Sequence, residues 1–501
     1  MLEKLHETFL QSNLLYPEIS LAILAIFLVL LAAFSVSYRV CLTVFIIGIC
    51  IEMLLNGFAT NFNDNFNSLE NGLIAKNTLQ TTVISLIQSN VNILIFKYLF
   101  AISGILTALL SVKETMLKKD GIFLALLTTV ILGMNLAIST NNLLLVFLAI
   151  ETVSICSYLL LIFNKTYKSS EAALKYFLVG ATTSGVMLYG VSLLYGFAAS
   201  LTISDIASKA SEVPPLPFYF ACVLTIAGLL FKIVAVPLHI WVGDVYEGAA
   251  TSLVAFLTTA SKFLGIAILF NILEVTSFYK LPTQNFIAFL AIISLLFGTF
   301  GAIWQQNTKR LLAYSSVAHS GFLLALLSIA NTSYLSFTTN FATLIFYLVS
   351  YLLLSYAAFY SILLVENERK STDIQAFAGI GKTQNWFGIL LFVIFIGFAA
   401  LPPTSGFTAK LLVFTTLINS YTANNQVITL ILLLTMLFTS LLSLYIYLKI
   451  PYYVFFKEAQ NEEIVNNEIP NKEITTTLFD KIMLALLCLG IIVLFFKPDI
   501  F

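Results

Sequence analysis

The sequence has few charged residues. Of its 501 residues only 10% are Asp, Glu, Lys or Arg, whereas charged residues make up about 25% of an average soluble protein. The formal net charge is zero, so no nucleic-acid or acidic partner is indicated. This composition excludes a water-soluble globular domain as the main body of the chain.

Metal-binding and nucleotide-binding patterns are also missing. No CxxC pair occurs, which argues against a zinc or iron–sulfur site, and no G-x-G-x-x-G follows a strand. The N-terminal segment resembles neither a cleavable signal nor an Arg-rich transit peptide, so we expect the chain to insert through its own helices. The five cysteines lie in or near apolar segments: Cys41, Cys50, Cys156, Cys222 and Cys488.

Long apolar runs, by contrast, are abundant, and hydrophobic residues make up 59% of the chain. Runs of about twenty apolar residues are long enough to cross a bilayer as helices, and they lack the alternation of barrel strands. We therefore predict an all-α polytopic membrane protein with about fourteen transmembrane helices. The predicted spans are 19–37, 40–58, 91–112, 121–139, 142–163, 171–198, 217–236, 250–273, 283–301, 309–330, 338–365, 385–400, 425–456 and 478–496.

Two of these spans are interrupted by proline, which removes a backbone donor and clashes with the preceding turn. The first is broken at Pro237 and continues to about residue 248. The second is broken at Pro402 and Pro403 and continues to about residue 420. Paired broken helices indicate inverted repeats around a transport site. Lys232 precedes the first break and Lys410 follows the second, and we take this reversed order as a further sign of inversion.

The predicted organisation has four parts. N-terminal helices 1–3 occupy 1–120, and a first five-helix repeat occupies 121–275. A second repeat occupies 276–457, and a loop with the last helix occupies 458–501. The longest polar connections are 59–82, 199–216 and 458–476. Most loop lysines and arginines follow odd-numbered helices, so these loops are predicted to face the matrix or cytoplasm and both termini the opposite side.

Several ionisable residues lie deep within the predicted spans, where each costs at least about 2.5–3.5 kcal/mol. Burial disfavours a charged group and a nearby opposite charge favours it. A buried amine whose carboxylate partner can approach or retreat is therefore an adjustable proton-binding site, and a row of such groups linked by water makes a relay. The central groups are Glu151, Lys232, Lys262, His319 and Lys410.

Simpler interpretations are open for Glu151, Lys232, Lys175 and His239. Glu151 and Lys232 could form a static ion pair. Lys175 could extend to the interface or pair locally with Glu171. His239 could cap the first break or bond a carbonyl.

Three further assignments are also structural. His319 could be a hydrogen-bonded packing residue. Lys309 and Arg310 are interpreted as orientation determinants at the inner surface, and Glu52 as a structural or subunit-contact residue.

Six segments of the sequence are informative together: LAIETVSICSYLL, SSEAALKYFLVGATTSGVMLYG, FKIVAVPLHIWVGDVYEG, TSLVAFLTTASK, KRLLAYSSVAHSGFLL and LPPTSGFTAKLLVF. They resemble a known family, the antiporter-like membrane subunits of respiratory complex I. The resemblance is closest to the NADH dehydrogenase subunit 2 or NuoN type, because the chain has a lysine at 410 and ends at 501 without a lateral helix. It departs from the usual pattern at Gly243, where the family generally has proline.

The resemblance implies roles for the buried charges. Glu151 and Lys232 would be the charge pair between the fifth and seventh helices. Lys262 would be the central relay lysine and Lys410 the terminal exchange lysine. The accessory polar groups would be Lys175, His239 and His319.

It also implies a proton-translocating subunit of NADH:ubiquinone oxidoreductase in the mitochondrial inner membrane. In that membrane the distribution of loop charges predicts both termini on the intermembrane-space side. NADH, FMN, iron–sulfur clusters and ubiquinone would be bound by other subunits. Partners would be neighbouring antiporter-like and small membrane subunits, and lipids such as cardiolipin. Two alternatives stay open, a subunit of a multi-subunit cation/proton antiporter and a structural scaffold of the membrane arm.

Overall fold

The protein is helical throughout the part that is described. The computed structural model describes residues 15–73, 90–114, 121–164, 166–210, 212–276, 283–329, 334–457, 474 and 476–498. Among these residues no strand forms, and the β-type pairing consists of two isolated bridges. The prediction of an all-α polytopic membrane protein is therefore confirmed.

The helices of the N-terminal half follow the predicted spans closely. Several of these helices end at a polar residue or at a residue with positive φ. The seventh and ninth helices are short and connect longer ones. They are α1 (Tyr16–Ala33), α2 (Tyr38–Leu73), α3 (Val91–Ser111), α4 (Ile122–Ser139), α5 (Leu143–Leu161), α6 (Tyr167–Ala198), α7 (Ile203–Lys209), α8 (Pro215–Ile233), α9 (Val242–Gly248), α10 (Thr251–Phe256) and, after the π-helical turn Leu257–Ser261, α11 (Lys262–Thr276).

The C-terminal half is built in the same way. A short 3-10 helix, Ile374–Phe377, precedes α15. The helices are α12 (Thr283–Ile303), α13 (Thr308–Ser328), α14 (Tyr334–Arg369), α15 (Ile380–Thr383), α16 (Asn385–Ala399), α17 (Ser405–Asn424), α18 (Val427–Phe455) and α19 (Leu478–Phe496).

Thirteen of the described helical segments are long and apolar enough to cross a membrane, and α16 is a shorter apolar helix. These fourteen segments correspond one to one to the fourteen predicted spans. The shorter helix is the first half of the span that is broken at Pro402 and Pro403. Here the sequence pattern located the elements correctly because a bilayer requires about twenty apolar residues for each helix.

The structure differs from the prediction in the connections. The Asn-rich segment expected to be a loop from residue 59 is helical as far as Leu73, and no proline between 38 and 73 interrupts this helix. The predicted connection 199–216 contains the short helix α7. Most of the predicted connection 458–476 lies outside the described residues.

The chain forms two compact units. The first comprises Met1–Leu229 and Phe263–Lys280, and the second comprises Leu230–Lys262 and Leu281–Phe501. The finer division into four parts stays a prediction.

A local arrangement near the start of α5 is repeated at the start of α13. Asn142 pairs with Thr202 in one isolated bridge, and Asn307 pairs with Asp373 in the other. In both places the asparagine side chain caps its helix by accepting hydrogen bonds from the amides two and three residues further on. Each unit thus contains one copy of this arrangement, which supports an internal repeat.

The two helix breaks also share their backbone geometry. Helix α8 is followed by Val234 (φ 63°) and helix α16 by Ala400 (φ 57°), and in each case a proline comes three residues later, Pro237 and Pro403. The amide that follows each positive-φ residue donates to the carbonyl five residues before it, as in a Schellman motif. The two breaks therefore match in the same chain direction.

The lysines beside the breaks occupy different positions in this shared geometry. Lys232 lies two residues before Val234, whereas Lys410 lies ten residues after Ala400. The order of lysine and proline is thus not what the breaks have in common. Inversion of the two repeats stays a prediction.

Small residues allow α12 and α13 to approach closely. A Cβ added at Gly298 would lie 2.3 Å from the backbone nitrogen of Ala318 and 2.9 Å from the carbonyl oxygen of Tyr314. We expect Gly298→Ala to destabilise the protein by about 1–3 kcal/mol, because backbone must move to make room. The measurement is the thermal unfolding of the detergent-purified protein.

The matched control is Gly196→Ala in α6, where an added Cβ would have no heavy atom within 4 Å. Alanine is also the better helix former, so this variant should unfold at or slightly above the wild-type temperature. Equal unfolding temperatures for the two variants would contradict the close packing of α12 on α13.

Candidate functional site

Lys262 is held at the first position of α11, directly after the π-helical turn. It is 0% exposed, and its Nζ donates to the carbonyl oxygen of Ser316 (2.5 Å) and to the Ser316 hydroxyl (2.7 Å). The ring centroid of Tyr351 lies 4.9 Å from the amine. A backbone carbonyl, a hydroxyl and an aromatic face all stabilise a positive charge, so this pocket accepts a protonated lysine without a carboxylate.

His319 lies on α13, three residues after Ser316, and is also buried. Its Nδ1 is 2.6 Å from the hydroxyl of Tyr347, and its ring centroid is 4.7 Å from that of Tyr351. Tyr351 therefore contacts both Lys262 and His319. A histidine whose ring nitrogen is bonded to a tyrosine hydroxyl can donate or accept a proton through that bond.

Lys410 lies on α17 beyond the second break and is 6% exposed. Its Nζ is 3.3 Å from the Ser443 hydroxyl and 3.5 Å from the Phe398 carbonyl, and it lies 5.2 Å from the ring centroid of Phe322. These hydrogen bonds are long compared with those of Lys262. The amine of Lys410 is thus the more loosely held of the two.

Two small cavities adjoin both His319 and Lys410. One is also lined by Tyr347, Ser350 and Tyr351, and the other by residues of α12, α13 and α18 that include Thr299 and Ser443. Each is on the scale of a single water molecule and has several polar groups on its walls, which is what an ordered water requires. Water in either cavity could hydrogen-bond to both ionisable groups.

A hydrogen-bonded path leads from the first break to Lys262. Lys232, which is 2% exposed, is followed by Ile233, whose carbonyl oxygen lies 2.5 Å from the Ser320 hydroxyl. That hydroxyl is also 2.9 Å from the carbonyl oxygen of Ser316, which accepts from Lys262. The helix end beside Lys232 and the amine of Lys262 are therefore joined through two serines of α13.

The predicted charge partner of Lys232 belongs to the other unit. Glu151 on α5 accepts a hydrogen bond from the hydroxyl of Ser184 on α6. Lys175 on α6 pairs with Glu171 at 2.8 Å, and both side chains are more than 40% exposed. The local pair expected from their spacing is confirmed, whereas the pairing of Glu151 with Lys232 stays a prediction.

His239 lies apart from the group formed by Lys262, His319 and Lys410. It is partly exposed within the first break, and its ring centroid is 6.1 Å from that of Phe297. The interpretation of His239 as a residue that caps the break or bonds a carbonyl stays a prediction. Its part in a relay is not supported by these contacts.

The acidic residues after the first break have basic partners at the start of α13. Arg310 lies 3.3 Å from Asp244 and 3.0 Å from Glu247, and the buried Lys309 lies 2.8 Å from Glu366. Gly243 leaves room here, because an added Cβ would be 3.5 Å from Arg310. The sequence predicts that Lys309 and Arg310 determine the orientation of the chain in the membrane. In the structure their ion pairs also connect α13 to α14 and α9.

Sequence reasoning missed the tyrosines and serines that lie next to the charged groups. Tyr347, Ser350 and Tyr351 follow one face of α14, and Ser443 lies on α18. The available signal was polar residues three and four positions apart within a span, which places them on one helix face. Among the described residues no group of three or more His, Cys, Asp or Glu side chains could hold a metal ion.

Comparisons with known proteins place this arrangement in a family. Residues 140–442 match the family described as NADH:quinone oxidoreductase/Mrp antiporter, transmembrane. NADH-quinone oxidoreductase subunit N of Chlorobium chlorochromatii is 36% identical over 80% of this chain and 79% of its own length. NAD(P)H-quinone oxidoreductase subunit 2 of Synechococcus elongatus is 37% identical over 75% of this chain and 70% of its own length.

A solved structure supports the same assignment. A chain of respiratory complex I from Thermus thermophilus aligns with a TM-score of 0.75 and 25% identity, over 97% of this chain and 98% of that one. The family match includes α5 to α17 and both breaks, and thus all four predicted relay residues, Glu151, Lys232, Lys262 and Lys410. The chain belongs to the NADH:quinone oxidoreductase/Mrp antiporter transmembrane family.

Proposed function

We propose that this chain is the proton-translocating, antiporter-like subunit of an NADH:quinone oxidoreductase. The observation that carries the proposal is the row of buried protonatable groups Lys262, His319 and Lys410. Tyr351 contacts the first two, and two water-sized cavities adjoin the last two. The names of the relatives, which are subunits of quinone oxidoreductases, support this assignment.

The proton would move in short steps along this row. Lys262 holds it as an ammonium that donates to Ser316. Release towards His319 passes the ring and hydroxyl of Tyr351, and water in the adjoining cavities links His319 to Lys410. The loose hydrogen bonds of Lys410 suit a group that exchanges its proton with water.

Energy would reach the row through the first break. If the Glu151 carboxylate approaches Lys232, the ammonium form of Lys232 is stabilised, and withdrawal favours release of its proton. The carbonyl next to Lys232 contacts Ser320, and Ser320 contacts the carbonyl that binds Lys262. A shift of the helix end would therefore change the hydrogen bonds of the Lys262 pocket. Lys175 and His239 remain accessory candidates.

The redox chemistry would take place elsewhere in the complex. We propose that NADH, FMN, iron–sulfur clusters and ubiquinone are bound by other subunits. The partners of this chain are then other membrane-arm subunits, both antiporter-like and small ones, with lipids such as cardiolipin between them. The charge changes that drive Glu151 and Lys232 would come from these neighbours.

The membrane is proposed to be the mitochondrial inner membrane, with both termini on the intermembrane-space side. The uneven distribution of loop lysines and arginines supports this orientation. The abundance of Phe, with 44 residues, is typical of an AT-rich organellar genome and supports this location. Cell fractionation of the tagged protein tests the location directly.

The function is tested by purifying the complex through a tag on this chain. We expect many copurifying subunits, NADH:quinone reductase activity, and proton translocation into vesicles on NADH addition. Sodium-dependent cation exchange without NADH oxidation would instead identify a cation/proton antiporter. If the wild-type complex oxidises NADH but the complex fails to assemble whenever Lys262 or Lys410 is replaced, the chain is a structural scaffold.

A further inference from the structure

A second cluster of buried charges lies in the first unit, away from the row described above. Lys97 on α3 and Glu18 on α1 form an ion pair of 2.6 Å, with side chains that are 6% and 5% exposed. Glu52 on α2 is 0% exposed and accepts a hydrogen bond of 2.8 Å from the Asn135 amide on α4. A second amide, that of Asn56, donates to the same oxygen of Glu52.

The four helices bring these groups to one side of the membrane. Glu18 is the third residue of α1, and Lys97 is the seventh residue of α3. Glu52 lies seven residues before the end of the apolar span Tyr38–Ala59, and Asn135 lies four residues before the end of α4. Successive spans run in opposite directions, so the starts of α1 and α3 and the ends of the α2 span and α4 lie on the same side. The cluster therefore lies within about two helical turns of one membrane surface.

The charges of the cluster do not balance. Two carboxylates and one ammonium carry a net charge of −1 if all are ionised, and an uncompensated charge in a buried site is strongly unfavourable. The charged groups that act electrostatically on Glu52 are Glu18 on α1 and Lys97 on α3. The Glu52 carboxylate in turn acts electrostatically on the Tyr98 side chain on α3. Asn135, the contact from α4, carries no charge. One proton neutralises the cluster.

The hydrogen bonds of the cluster also indicate that one proton is needed. Within the part of the chain that the structure describes, three buried oxygens have no hydrogen-bond partner, Oε2 of Glu18, Oε2 of Glu52 and Oδ1 of Asn135. All three are acceptors when the carboxylates are ionised, so the cluster has more acceptors than donors. A proton on Oε2 of Glu52 supplies a donor, and the other oxygen of Glu52 then remains a carbonyl that accepts from two amides.

We propose that Glu18, Glu52 and Lys97 form a second proton-binding site, with the exchangeable proton on Glu52. The proton is assigned to Glu52 because its hydrogen bonds from the described residues come from neutral amides, whereas the Lys97 ammonium bonds directly to Glu18. The site does not involve the Lys262–Lys410 row. It holds a proton close to the membrane side on which α1 begins.

The test compares carboxylic-acid infrared bands in the assembled complex. The wild type should show the carbonyl stretch of a protonated, deuterium-sensitive carboxylic acid that disappears on alkaline titration. Glu52→Gln should lack this band, and Glu18→Gln should not remove a band, because the Glu18 carboxylate is ionised in the wild type. A spectrum of Glu52→Gln that equals the wild-type spectrum, or a titration midpoint that shifts with sodium concentration, would overturn the proposal.

Assembly gives a second and independent measure. Glu52→Gln should assemble at the wild-type level, because glutamine resembles the neutral acid. Lys97→Met should lose most of the assembled complex, since the Glu18 carboxylate is then buried without a cation, and Lys97→Met with Glu18→Gln should restore it. If Glu52→Gln loses as much complex as Lys97→Met, Glu52 is needed as an anion and the proposal is wrong.

Discussion

Lys262→Met is expected to stop proton translocation through this chain while the complex still assembles. Methionine fills a similar volume, and the Ser316 carbonyl that Lys262 leaves behind still has the Ser320 hydroxyl within hydrogen-bond distance. The fold should therefore tolerate the change. A positioned proton-transfer group contributes about 10²–10⁴-fold to a rate, so the route should slow by about a hundredfold or more. The measurement is the number of protons translocated per NADH oxidised in vesicles.

The matched control for this experiment is Lys449→Met in the same unit. Lys449 on α18 is partly exposed, and its Nζ donates to the Gln305 carbonyl at 3.1 Å, outside the row. This variant should translocate protons normally. A normal proton-to-electron ratio in Lys262→Met would show that Lys262 carries no proton, and loss of assembly in Lys262→Met would favour a structural role.

Lys410 can be tested with two substitutions that separate charge from proton exchange. Lys410→Met removes the protonatable group, and we expect the same loss of translocation as for Lys262→Met. Lys410→Glu keeps a protonatable group beside the two cavities, and the Ser443 hydroxyl can donate to it. Glutamate should therefore retain part of the translocation rate, although it is shorter and loses the attraction to the Phe322 ring.

The two Lys410 variants are compared at equal amounts of assembled complex. We expect the rate of proton translocation to be highest in the wild type, lower in Lys410→Glu and lowest in Lys410→Met. If methionine translocates protons as well as glutamate does, proton exchange at this position is not required. If both variants fail to assemble, Lys410 serves the packing of α17 rather than proton transfer.

The placement of the helices could be predicted from the sequence because the bilayer imposes a length and an apolar composition on each span. The two breaks could also be predicted, because Pro237 and Pro403 remove backbone donors wherever the helix packs. Lys262, His319 and Lys410 could be selected as candidate residues because a charged or ionisable group deep in an apolar run is costly and needs a reason.

The contacts of these residues could not be predicted in the same way. Lys262 binds Ser316 from 54 residues away, and Lys410 approaches Ser443 from 33 residues away. Hydropathy identifies a span but does not say which helices are neighbours or how each is rotated. The π-helical turn before Lys262, which sets the direction of that lysine, leaves no mark in the hydropathy pattern.

The cluster of Glu18, Glu52 and Lys97 shows most clearly what the sequence indicates and what only helix packing reveals. Lys97 lies within a predicted span and could have been selected by the same rule as Lys262, but Glu18 lies one residue before the predicted start of the first span. Their 2.6 Å ion pair and the unbalanced charge of Glu52 became visible only when α1 to α4 were packed together. The sequence by itself determined that charges are buried in this protein. The tertiary structure decided which charges meet, because side-chain partners are set by helix packing and not by position along the chain.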